Sequence, residues 1–67
     1  MIFVNGQPHD VPDRSTISEL LVKLNIDPEA SGIAVAVDSE VAARNAWTRH
    51  EVREGAHVEI VTATQGG

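Results

Sequence analysis

No cysteine occurs anywhere in the chain, which excludes a disulfide framework, a thiolate zinc site and a cysteine nucleophile. Positive charge is nearly as scarce: ten acidic residues stand against one lysine and four arginines, for a net charge of −5. That balance opposes contact with a phosphate backbone, so nucleic acid is not an expected partner. No apolar run approaches the roughly 20 residues needed to cross a bilayer. Met1 leads straight into Ile2, Phe3 and Val4 with no basic stretch ahead of them, so we expect a cytoplasmic protein with no membrane partner. With 67 residues there is room for one small domain and not for an elaborate enzyme. A domain of this size buries only about 60% of the surface its unfolded chain exposes, so its stability must come from one compact core or from partners, and we expect a monomer when free. The hydrophobic share of 42% and the charged share of 22% are those of a chain that folds, not of an acidic disordered tail.

The first local signal is Ile2 to Val4 followed by Asn5-Gly6, a dipeptide suited to the positive φ angles of a type I′ hairpin. A return strand over 7–11 is expected, at a sheet edge, because Pro8 and Pro12 cannot donate ladder hydrogen bonds. Thr16-Ile17-Ser18-Glu19 reads as a capping box opening a helix. Ile17, Leu20, Leu21 and Leu24 then recur at helical spacing to form one apolar stripe. Asn25 is placed to end that helix, and Asp27-Pro28 with Ser31-Gly32 marks a loop.

Ile33 to Val37 is a strand in which Ile33, Val35 and Val37 share one face and the alanines the other. A turn over 38–40, a short strand over 41–43, a helical turn over 46–50, a turn at Glu54-Gly55 and a last strand over 57–62 complete the chain. The order β-β-α-β-β-β describes an α+β domain, a mixed sheet of four to five strands with one main helix on one face. It fits the ubiquitin-like β-grasp, in which the first and last strands lie parallel at the sheet centre. The domain is expected over 1–62, followed by a flexible tail, 63–67, ending in Gly66-Gly67. Glycines lack Cβ atoms, and five extended residues reach roughly 15 to 18 Å. Such a tail can enter a narrow slot while the domain docks outside it.

Across essentially its whole length the sequence resembles the ThiS family, the sulfur carriers of thiamine biosynthesis. The matching features are Asn5-Gly6, Thr16 to Glu19 leading into Leu20-Leu21, the 32–37 segment, Arg44 with Trp47, and 58–63 running into Gly66-Gly67. Two positions depart from the family pattern. Ala43 stands where a proline often precedes the arginine, and Gly55-Ala56 where a Gly-Asp pair often precedes the last strand. The resemblance implies a carrier, not an enzyme: a co-substrate whose Gly67 carboxylate is adenylated by a ThiF-like enzyme using ATP and Mg. The carboxylate is then converted to a thiocarboxylate with sulfur from a persulfide donor, and Gly66 and Gln65 thread the tail into the partner. Delivery would be to a ThiG-like thiazole synthase. No Gly-rich phosphate loop with a lysine occurs in the chain, so no cofactor is expected on it and the partner must hold the nucleotide.

Phe3 and Val61 are expected to project from the sheet face opposite Ile2, Val4, Val58 and Ile60 and to form a docking patch for the adenylating enzyme. Arg44 and Trp47, three residues apart, are placed for a cation–π contact if that turn is helical. His9, His50 and His57 are scattered without metal-ligand spacing, and no metal site is expected. A Gly-Gly end on a β-grasp domain also suits a sulfur carrier for another pathway (molybdopterin or cysteine), a ubiquitin-like protein modifier, or a plain interaction domain.

Overall fold

A computed structural model describes residues 1–63 of the chain. Seven short strands and one α-helix follow in order: β1 (Ile2–Val4), β2 (Gln7–His9), β3 (Ser15–Thr16), α1 (Ile17–Lys23), β4 (Ile33–Val37), β5 (Glu40–Ala42), β6 (Glu51–Val52) and β7 (His57–Thr62), with a 3₁₀ turn at Arg44–Ala46. Five strands form one sheet in the order β2-β1-β7-β4-β5, and β3 and β6 pair separately. β1 and β7 run parallel at the centre, and the other pairings in the sheet are antiparallel. This is the β-grasp expected from the order of elements.

Local chemistry accounts for most boundaries. Asn5 and Gly6 take φ of 49° and 83°, and Val4 pairs with Gln7 across them, which is the two-residue type I′ hairpin. Pro8 lies on β2 at the sheet edge opposite Phe3. The strand ends at His9 and not at Val11: β1 pairs no further than Ile2, and the carbonyl of Met1 beyond it accepts from the Gly55 amide at 2.8 Å. The chain instead turns at Pro12, whose carbonyl accepts from the Ser15 amide at 3.2 Å and its hydroxyl at 2.6 Å.

The capping box forms as expected: the Glu19 amide donates to Thr16 Oγ1 at 3.2 Å, and the Thr16 amide donates to Glu19 Oε1 at 2.8 Å. At the other end Asn25 adopts φ of 62°. The Ile26 amide donates to the Leu21 carbonyl at 2.8 Å and the Asn25 amide to that of Val22 at 3.0 Å, the pair of bonds that defines a Schellman motif. Ile17, Leu20 and Leu21 are buried by this helix against Ile2, Val4, Val35, Val58 and Ile60 of the sheet. Trp47, Val52 and Ala56 complete the core.

Three further features differ from the sequence reading. Asp38 and Ser39 both take positive φ, 50° and 72°, so a two-residue hairpin pairs Val37 with Glu40 and β5 begins one residue early. The 3₁₀ turn spans Arg44–Ala46, two residues before the expected helical turn, although the His50 amide still reaches the Ala46 carbonyl at 2.8 Å. The pairing of Ser15 with Val52 and Thr16 with Glu51 was not anticipated, because two-residue strands carry no readable periodicity.

Candidate functional site

The tail residues expected to react or thread, Gly67, Gly66 and Gln65, lie outside the described residues. What the structure does define is how the chain leaves the domain. β7 is the middle strand of the five, and its last residue, Thr62, pairs with Ile33. One residue further, the Ala63 amide donates to the Gly32 carbonyl at 2.7 Å. Gly32 has φ of +80°, and a Cβ built on it would lie 3.0 Å from the Ala63 carbonyl oxygen. The exit from the sheet is therefore packed against a position where a side chain is disfavoured twice, by conformation and by space.

The loop that carries Gly32 is itself held. Asp27 accepts from the Glu29 amide through its side chain and from the Ala30 amide through its carbonyl. The Arg44 guanidinium donates to the carbonyls of Pro28 at 2.6 Å and Ala30 at 2.7 Å. The same guanidinium lies 4.5 Å from the centre of the Trp47 ring, so the expected cation–π pair is present. Trp47 is buried, and its indole N–H donates to the Ala42 carbonyl at 3.1 Å. Arg44 thus ties the loop to the core. Its carbonyl partners are 16 and 14 residues away in the chain, which no local pattern signals.

Phe3 and Val61 both lie on the sheet face turned away from the helix, but at opposite ends of it. Phe3 pairs with His57 and stacks on its ring with centroids 4.9 Å apart and planes 16° apart, which leaves Phe3 half-buried. Val61 is four residues further along β7, roughly 13 Å at the rise of a strand, beside Ala34. It is 62% exposed. On the same face Val41 is 80% exposed and pairs with Ala36. Because Ala34 and Ala36 are small, β4 lies low between Val41 and Val61, and these four residues make a shallow apolar surface. The sequence reading placed the alanines on this face but did not include Val41, whose exposure follows from the one-residue shift of β5.

The two positions that depart from the family pattern both sit in well-defined turns. Ala43 has φ of −65° and ψ of 140°, the φ that a proline ring would impose. Ala56 is buried at the end of a turn in which Gly55 has φ of +83°, and the Ala56 carbonyl accepts from the Phe3 amide at 2.9 Å to open the β1–β7 ladder.

Among the described residues no group of three or more histidines and carboxylates could hold a metal ion. No helix among them is long and apolar enough to cross a membrane.

The ThiS family model matches residues 2–67. The sulfur carrier protein ThiS of Escherichia coli (strain K12) is 29% identical over 66 residues, covering 98% of this chain and 97% of that protein. The crystal structure of the thiamine biosynthesis protein ThiS from Geobacter metallireducens superposes with a TM-score of 0.81 at 31% identity, covering 98% of this chain and 97% of the other. A solution structure of a thiamine biosynthesis protein from the same organism gives 0.77 at 31% identity, over 98% and 86% of the two chains. In sequence and in fold, the protein belongs to the ThiS family.

Proposed function

We propose that this chain is a cytoplasmic sulfur carrier for thiazole formation in thiamine biosynthesis, acting through the carboxylate of Gly67. The observation that carries this reading is that β7, the middle strand, ends at Thr62, five residues before Gly67, beside a sheet face on which Val61 and Val41 are exposed. A partner can dock on that face and receive the tail at once.

The chemistry explains why the carrier needs a partner. A carboxylate is anionic and its oxygen leaves poorly, so sulfur cannot displace it directly. A ThiF-like enzyme that binds ATP and Mg lets the Gly67 carboxylate oxygen attack the α-phosphorus. The bond to the pyrophosphate is broken, and an acyl adenylate is formed. A persulfide sulfur then attacks the acyl carbon, and AMP leaves with the electron pair of the C–O bond. A thiol cleaves the resulting acyl disulfide at its outer sulfur; the thiol is oxidised to a disulfide, and the terminal thiocarboxylate is released. Its sulfur is a nucleophile at neutral pH, ready for a ThiG-like thiazole synthase. Gly66 and Gln65 let the tail enter these sites, glycine by the absence of a Cβ. Val61 and Phe3, with Val41, form the docking face for the adenylating enzyme.

Exchange of labelled pyrophosphate into ATP tests the first step. With a ThiF-like enzyme, exchange should depend on this chain and vanish when Gly67 is deleted. Exchange that is unaffected by the deletion would remove Gly67 from the reaction.

A further inference from the structure

Resting on the carrier reading above, we propose that Gly32 is a positioning residue for the reaction: its carbonyl and its missing side chain set the point and direction from which the tail leaves the domain. The hydrogen bond from the Ala63 amide to the Gly32 carbonyl, 2.7 Å, is made one residue past the last strand. It therefore orients the backbone from which residues 64–67 continue. A Cβ at position 32 would lie 3.0 Å from the Ala63 oxygen and 3.7 Å from its Cβ. The oxygen is a backbone atom and cannot swing aside as a long side chain would, so Ala63 itself must move.

The support behind Gly32 is rigid. Arg44 holds the carbonyls of Pro28 and Ala30 in the same loop and stacks on buried Trp47. Position 32 thus lies between the anchored Ala30 carbonyl and the first residue of β4, and the atoms nearest a Cβ there all belong to Ala63. The four residues 64–67 span at most roughly 14 Å when extended. Displacement at their base moves the point from which the carboxylate must reach the partner's site, while Val61 and Val41 of the docking face lie within the ladder, paired with Ala34 and Ala36. Reacting groups misplaced by about 1 Å lose on the order of a hundredfold in rate.

The test is the steady-state rate of adenylation by a ThiF-like enzyme, followed by pyrophosphate release, for the native chain, Gly32→Ala and Ala63→Pro. The second variant deletes the amide donor without touching Gly32. It lies past the last strand, so it carries the test even if Gly32→Ala fails to fold. Both variants should lower kcat by about tenfold to a hundredfold with KM within about twofold, the signature of an interaction used after docking. Variants that match the native kcat, or that lose rate only through KM, overturn the inference while leaving the carrier reading in place. A native chain that is itself not adenylated overturns the carrier reading and this inference with it.

Discussion

The side-chain amide of Asn5 continues the central ladder where the backbone of β1 has already turned away: Asn5 Oδ1 accepts from the Ile60 amide at 2.9 Å, and Asn5 Nδ2 donates to the Ile60 carbonyl at 3.2 Å. The same residue holds φ of 49° in the hairpin and donates its own amide to the Val58 carbonyl at 2.9 Å. One asparagine therefore both turns the chain and satisfies the half-buried peptide groups of β7 two residues before its end. Asparagine is among the few residues that tolerate that backbone region and carry both a donor and an acceptor.

Asn5→Ala should lower stability by about 2 kcal/mol, because two hydrogen bonds to a half-buried peptide are lost along with the tolerance of positive φ. In a domain of this size that is a fall in Tm on the order of 10 °C. A thermal melt within about 2 °C of the native chain would show that water replaces the side chain at no cost.

Arg44 offers a second test. Arg44→Lys keeps the charge but cannot fork onto the carbonyls of Pro28 and Ala30 while lying flat on Trp47. We expect the lysine variant to lose about 1 kcal/mol, close to the loss of Arg44→Ala. Denaturant titrations in which lysine restores full stability would mean that charge alone holds the loop.

Ala43 has the φ of a proline, and the alternation of the β4–β5 ladder from its Val37–Glu40 closing pair directs the Ala43 amide away from β4. Ala43→Pro should therefore raise stability by about 0.4 to 1 kcal/mol through the unfolded chain. Destabilisation measured by chemical denaturation would show that the amide is used.

The docking face gives a functional prediction. Val61→Glu and Val41→Glu place charge on exposed positions, so Tm should change little while the KM for adenylation rises by about tenfold, as expected for loss of about 1.4 kcal/mol of binding. Phe3→Glu should have both effects, because Phe3 is half-buried under His57. Unchanged KM in all three would move the docking site off this face.

Much of this structure could be anticipated from local chemistry. Asn5-Gly6, the Thr16–Glu19 box, Asn25 and the alternation in β4 and β7 each act over a few residues, and each appears where the sequence indicated. What stayed hidden depends on distant partners. Ser15 and Thr16 find Val52 and Glu51 across 35 residues or more of chain. Gly32 looks like any loop glycine until Ala63 is folded against it. Arg44 suggested a contact with Trp47, three residues on, but its two carbonyl partners emerge only when the loop after the helix is in place. The same division holds for the site: the Gly-Gly end is plain in the sequence, and the contact of Ala63 with Gly32 just ahead of it is tertiary.

The most direct measurement is the intact mass of the protein purified from its own cells and after incubation with ATP, Mg, a ThiF-like enzyme and a persulfide donor, beside the same chain lacking Gly67. A gain of about 16 Da, sulfur for oxygen at an activated acyl terminus, that disappears on deletion is the expected result. An unchanged mass under both conditions, or an equal gain without Gly67, would contradict the assignment of this chain as a thiocarboxylate carrier.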